Sequence, residues 1–232
     1  MIETRAMIAA RLGLVCALAG AAVPEAMPSP SIGAGAVWAP PSGFLASIHA
    51  ACDAGAGAGA QGPGAFGECF VSQMEKAGAS SPALAFTRRT ENQGYLREFR
   101  ETGRVDVACA DYPFRANENS VCFLVNGEPA MIDVDDPKMI GATALLGSPV
   151  YAGLRKKYPN VAVFPGARDA SAVTVAGAPG GDFERLQVSY VLVDGCHACA
   201  RVGVLLLDFD FDASGHFRGT RVAAVRALPR NP

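Results

Sequence analysis

A surplus of positive charge is the first thing this sequence lacks: 20 Lys and Arg stand against 22 Asp and Glu, a formal net charge of −2. No basic stripe is available to neutralise a run of phosphates, so nucleic acid is not an expected partner. Histidine is scarce. The 3 in the chain are His49, His197 and His216, and none has the HExxH or H-x-x-x-H type of spacing that zinc sites favour. No serine sits in GxSxG, so the hydrolase elbow is missing. Gly180-Gly181 belongs to neither GxGxxG nor GxxxxGK, so no phosphate-cradling loop is expected. These absences leave no catalytic set, metal-ligand set or cofactor to nominate. The N-terminal apolar run, Leu12–Ala22, is too short to span a bilayer.

That run has another use. Arg5 and Arg11 precede it, Ala19 and Ala21 are small enough for a signal peptidase, and Pro24 follows. The pattern predicts a secretory signal over residues 1–21, a Pro/Ala/Gly leader over 22–42, and no membrane span after cleavage. Met7 can serve equally as the start. Cys16 offers a lipid anchor as an alternative, against which Val15 stands where a small residue belongs. The expected location is periplasmic or secreted.

Cysteine, by contrast, is well represented. Loss of Cys16 from the 7 in the chain leaves Cys52, Cys69, Cys109, Cys122, Cys196 and Cys199. An even set in an exported chain reads as a disulfide framework, and the three sequence-local pairs predict 52–69, 109–122 and 196–199. The first two close loops worth about 3 kcal/mol each, the third about 2 kcal/mol.

The fold class expected is α+β, in a single domain over 43–232. The helical part is 43–104 and the mainly antiparallel sheet part 105–232. Phe44, Leu45 and Ile48, then Phe66, Phe70, Val71 and Met74, recur at helical spacing, with Trp38 expected to dock on the core and His49 partly buried. Ser80-Ser81-Pro82 is a helix start, and Tyr95, Leu96 and Phe99 predict a helix over Asn92–Glu101 that Gly103 ends. Val105–Tyr112, Ser120–Val125 and Ala130–Val134 are strands, with Asn126-Gly127 as a turn. Helices follow at Pro137–Leu146 and Val150–Tyr158, then short strands at Val161–Phe164 and Ala172–Ala176. Leu186–Val225 alternates with period two and predicts a three-strand meander, turning at Asp194–Cys199 and Asp212–His216.

Two turns carry motif-like residues. Cys196-His-Ala-Cys199 resembles the redox CxxC, but a strand pattern follows it where a thioredoxin-like site needs a helix N-terminus. A bridge closing a hairpin end is expected, with redox or metal handling as the alternatives. Asp210-x-Asp212-x-Ser214-Gly215 matches the start of a calcium loop, yet Arg221 stands where the bidentate Glu belongs, so a plain turn is expected.

The densest polar stretch is Tyr112–Asn119. Arg115, Asn117, Glu118 and Asn119 gather there behind two aromatics, and Asp133, Asp135 and Asp136 follow one strand later. The plainer use is a clasp, with Arg115 pairing a carboxylate and the asparagines bonding the loop backbone. A ligand site built from Arg115, Asn117, Glu118, Asn119, Asp133 and Asp135 is the candidate function, and acid/base work by Glu118 and Asp133 in a hydrolase is a further alternative. The reading as a whole is an exported, disulfide-bonded module that binds an unknown small molecule or protein without catalysis.

Overall fold

The computed structural model describes residues 31–53, 64–116, 119–164, 168–176, 182–196 and 198–229. The expected signal and the first part of the leader lie outside these residues, as do Asn117, Glu118 and His197.

Three helices open the described chain: α1 (Phe44–Asp53), α2 (Ala65–Lys76) and α3 (Ser81–Arg89). Their apolar stripes meet around Ile48, Phe70, Val71, Met74 and Leu84. Ser80 caps α3 by accepting the Ala83 amide at 3.2 Å, and its hydroxyl donates to the Gly35 carbonyl at 2.8 Å. Residues 31–42, expected within the leader, lie against the core. Ile32, Ala36 and Trp38 are buried, and the Asn126 side chain holds the Ile32 backbone through two hydrogen bonds of 2.7 and 2.8 Å. Apolar side chains at these positions find a surface to cover that composition alone does not reveal.

The first sheet is an antiparallel meander of β1 (Tyr95–Arg100), β2 (Asp106–Asp111), β3 (Ser120–Val125) and β4 (Met131–Asp133). The helix expected over Asn92–Glu101 is therefore a strand. A register shift between Leu96 and Glu98 brings Leu96 and Phe99 into one apolar cluster while Tyr95 enters the helical one, and that three-residue spacing imitates a helical stripe in the sequence. Gly103 accordingly lies in the β1–β2 turn and ends no helix.

One face of this sheet, with Leu96, Ala108, Ala110, Val121 and Phe123, is covered by Phe86 of α3 and by Ile32 and Ala36. The other face, with Val107, Cys109, Cys122, Leu124 and Ile132, shares a single core with the second sheet. The molecule is thus layered as helices, sheet, sheet.

Pro137–Leu146, expected as one helix, divides at Gly141 into a 3-10 turn (Pro137–Met139) and α4 (Ala142–Leu146). After α5 (Pro149–Lys157), the second sheet comprises β5 (Val161–Phe164), β6 (Val173–Val175), β7 (Phe183–Asp194), β8 (Arg201–Asp212) and β9 (Phe217–Ala227). All its pairings are antiparallel; β5 and β6 share one edge of β7, and β8 and β9 complete the expected meander. Leu186, Val188, Tyr190 and Leu192 point into the core with Leu205, Leu207, Phe209 and Phe211. Asp208 sits on the opposite face at 2% exposure and is held there by Gln187 at 2.8 Å, Arg185 at 3.4 Å and Arg221.

The two sheets are also joined through their turns. The Glu128 amide donates to the Gly215 carbonyl at 2.9 Å, and the Phe217 amide to the Glu128 carbonyl at 2.8 Å. A Cβ on Gly127 would fall 2.8 Å from the Gly215 oxygen, so the approach depends on glycine there. All three expected bridges are present: Cys52–Cys69, Cys109–Cys122 and Cys196–Cys199. Among the described residues no helix is long and apolar enough to cross a membrane.

Candidate functional site

The Tyr112–Asn119 loop leaves the sheet where β2 hands over to β3. Its base is set by Asp111, which accepts the Ser120 hydroxyl at 2.8 Å and Arg97 Nε at 3.0 Å, and lies 3.4 Å from the Tyr95 hydroxyl. Burial, with Asp111 adding to it, pushes the Tyr95 hydroxyl up to about 12, so it stays a neutral donor. The Tyr112 amide donates to the Asn119 carbonyl at 2.6 Å and closes the loop. The Asn119 side-chain amide then donates to the Arg115 carbonyl at 2.8 Å and approaches the Tyr112 carbonyl at 3.4 Å. Asparagine suits this use because its short amide reaches backbone acceptors that a turn leaves open.

Phe114 pins the loop to the helices. Its ring meets His49 at 5.1 Å, Phe66 at 4.9 Å and Phe70 at 5.4 Å, all edge to face. Such contacts combine burial with a favourable quadrupole geometry. His49 is exposed, not partly buried as its helical position suggested, and covers Phe114 from outside.

Arg115 does something else. It is exposed, and its guanidinium lies 3.5 Å from the centroid of the Tyr112 ring. Among the described residues no carboxylate pairs with Arg115, and Glu118 lies outside them; what is seen is the stack on Tyr112. Stacking uses the flat face of the guanidinium and leaves its edge, where the N–H donors point, open. Tyr112 is itself buried, which pushes its hydroxyl up to about 12; the charge of Arg115 opposes that rise while Asp133 and Glu91 add to it.

The acids are spread along the exit of β4. Asp133 is exposed and accepts the Asp135 amide at 2.9 Å; Asp136 caps the following 3-10 turn by accepting the Lys138 amide at 2.9 Å. Asp133 is near enough to Tyr112 to act on its titration, and Asp133 and Asp135 both act on Tyr190. Arg115 and Asn119 therefore meet directly at Tyr112, whereas Asp133 acts on it through its charge. Asn117 and Glu118 are outside the described residues.

No family model, curated protein or solved structure matches this chain.

The remaining motifs have local partners. Asp210 carries Arg185 at 2.5 Å, and Asp212 accepts the Ser214 and His216 amides at 2.8 and 3.0 Å and an ion pair from Arg218. Gly215 takes φ +80°, so the segment is a glycine-dependent turn. A depression of about 360 Å³ beside α5 is lined by Leu146, Ala152, Arg155, Lys156 and Pro159, and by none of the candidate residues. The sequence reading missed Tyr112 and Asp111 as organisers of the loop. The signal for Asp111 was its place opposite Ser120 in the β2–β3 register, which is visible only once the strands are paired.

Proposed function

We propose that the protein is an exported, disulfide-bonded module that works by binding, and that its ligand presents an anionic group to Arg115. The observation that carries this reading is the stack of an exposed guanidinium, with no carboxylate partner among the described residues, on a buried tyrosine. A planar cation held flat against an aromatic ring, in a loop anchored by Phe114 and Asn119, has lost most of its freedom before any ligand arrives. Its free edge matches a carboxylate or phosphate in a two-point contact. Asn117, Glu118, Asn119, Asp133 and Asp135 would form the polar rim and discriminate among anions by hydrogen bonding and by repulsion. Three disulfides support an oxidising destination.

The test is a titration of the oxidised protein with an acidic peptide and, separately, with inorganic phosphate, followed by amide chemical shifts. Saturable movement of the Arg115, Ala116 and Asn119 signals is expected. Arg115→Ala should abolish it with the melting temperature unchanged, and Arg115→Lys, which keeps charge without the planar stack, should weaken it by about tenfold. Loss of about 1–3 kcal/mol of stability in Arg115→Ala, with no saturable shift in the parent protein, would show Arg115 to be a clasp and nothing more.

A further inference from the structure

We propose that the Cys196–Cys199 bridge is a thiol–disulfide exchange site, opened and closed by a dithiol partner while the other two bridges hold the fold. The three bridges differ in what a thiolate can reach. Cys109 and Cys122 are each 0% exposed, in the core between the sheets, and Cys52 is 2% exposed under the helices, with its partner Cys69 half-buried. Cys196 is exposed and Cys199 half-buried, at the tip of the β7–β8 hairpin. Exchange requires a thiolate to approach one sulfur along the sulfur–sulfur axis, and Cys196, the most exposed of the six, is the end that favours this bridge.

The turn is also built to survive opening. The Cys199 amide donates to the Cys196 carbonyl at 3.0 Å, and the Asp194 amide to the Ala200 carbonyl at 3.0 Å. Behind them β7 and β8 are paired from Val193 to Phe183. Gly195, at φ +88°, packs its backbone close to Asn160. None of these contacts uses sulfur. Reduction would leave the two thiols facing each other across a closed turn, and re-forming so short a loop costs little chain entropy. The bridge accordingly contributes least to stability and is the easiest to restore.

The chemistry is a two-step exchange. A partner thiolate attacks Sγ of Cys196, the Cys196–Cys199 bond breaks and Cys199 leaves as a thiolate, which takes up a proton. The partner's second thiolate then attacks its own sulfur in the mixed disulfide and releases Cys196. Two electrons and two protons pass to this protein, and the partner dithiol becomes a disulfide; an oxidising partner runs the steps in reverse. β8 begins at Arg201 with no helix after Cys199, so no helix dipole stabilises either thiolate. The bridge is therefore a substrate in exchange and not a catalyst of it.

Dithiothreitol is the probe. The native, oxidised protein is exposed to graded concentrations, alkylated with iodoacetamide and mapped by peptide mass spectrometry. Cys196 and Cys199 should be labelled faster than the other four by about tenfold or more, with circular dichroism unchanged, and the bridge should return in oxidised glutathione. Cys199→Ser should capture one glutathione at Cys196. The double variant Cys196→Ser/Cys199→Ser should keep its melting transition, which separates a mispaired single variant from a failed idea. Labelling of all six cysteines at one rate, labelling only as the fold is lost, or collapse of the double variant would each overturn the proposal.

Discussion

Asp212 shows how one side chain can be held ionised by a turn four residues long in its reach. The backbone amide of His216 is the largest cause, with the Ser214 amide and the charges of Arg218 and His216 adding to it, and together they bring its carboxyl from an ordinary 3.8 down to about 2. A folded-state pKa below the unfolded value means that the group stabilises the fold above about pH 4, and that this contribution disappears as the pH falls through about 2. Asp212→Asn should therefore lower stability above about pH 4, neutral pH included, make little difference near pH 2, and so flatten the acid limb of the stability curve over that window. Urea midpoints measured from pH 2 to 7 would check it, and a parallel offset at every pH would count against the account. Arg115 belongs to the same scale. Its residue type and its loop were legible in the sequence, whereas its stack on Tyr112 was not, because the chain places an aromatic ring and carboxylates equally close to it.

At the scale of elements, the β1–β2 turn is tied to β7 by Glu184. This carboxylate is buried, faces the interior, and accepts the Arg104 amide at 2.8 Å and the Val105 amide at 3.3 Å. Gly103 makes room for it: a Cβ there would lie 2.7 Å from Glu184 Oε1. Gly103→Ala should push the carboxylate off its amides and cost about 1–3 kcal/mol, the cost of leaving buried donors unpaired. A chemical-denaturation midpoint identical to that of the parent would refute this. The same element shows why β1 was read as a helix. Tyr95, Leu96 and Phe99 fit a 3.6-residue period as well as a bulged strand does, and six residues are too few for periodicity to decide. Pairing with β2 decides it, by giving the backbone of the segment its ladder partners. Gly103 then does a steric job, where its sequence position suggested a helix stop.

For the whole molecule, the three disulfides are spread over its layers. Cys52–Cys69 ties α1 to α2, Cys109–Cys122 braces the sheet that both cores share, and Cys196–Cys199 closes the outermost hairpin. Protein purified from its native host should have lost about 20 N-terminal residues, as a cleaved signal requires, and carry all three bridges. An intact N-terminus with free thiols, found by mass spectrometry, would remove the export proposal while leaving the anion-binding test of Arg115 standing.

The sequence by itself determined the features that rest on near neighbours in the chain. The three cysteine pairs are local, β3 and β5 are bounded by turn residues, and β7 and β8 alternate because one face of each lines the core. Only the tertiary structure decided what depends on distant partners. Residues 31–42 dock because sheet one offers an apolar face, β1 is a strand because β2 lies beside it, and the Asn126-Gly127 turn meets the Gly215 turn because the two sheets share a core. Phe114 enters the helical cluster and leaves Arg115 outside it for the same reason: burial is a property of the assembled layers, and local sequence patterns carry only part of it.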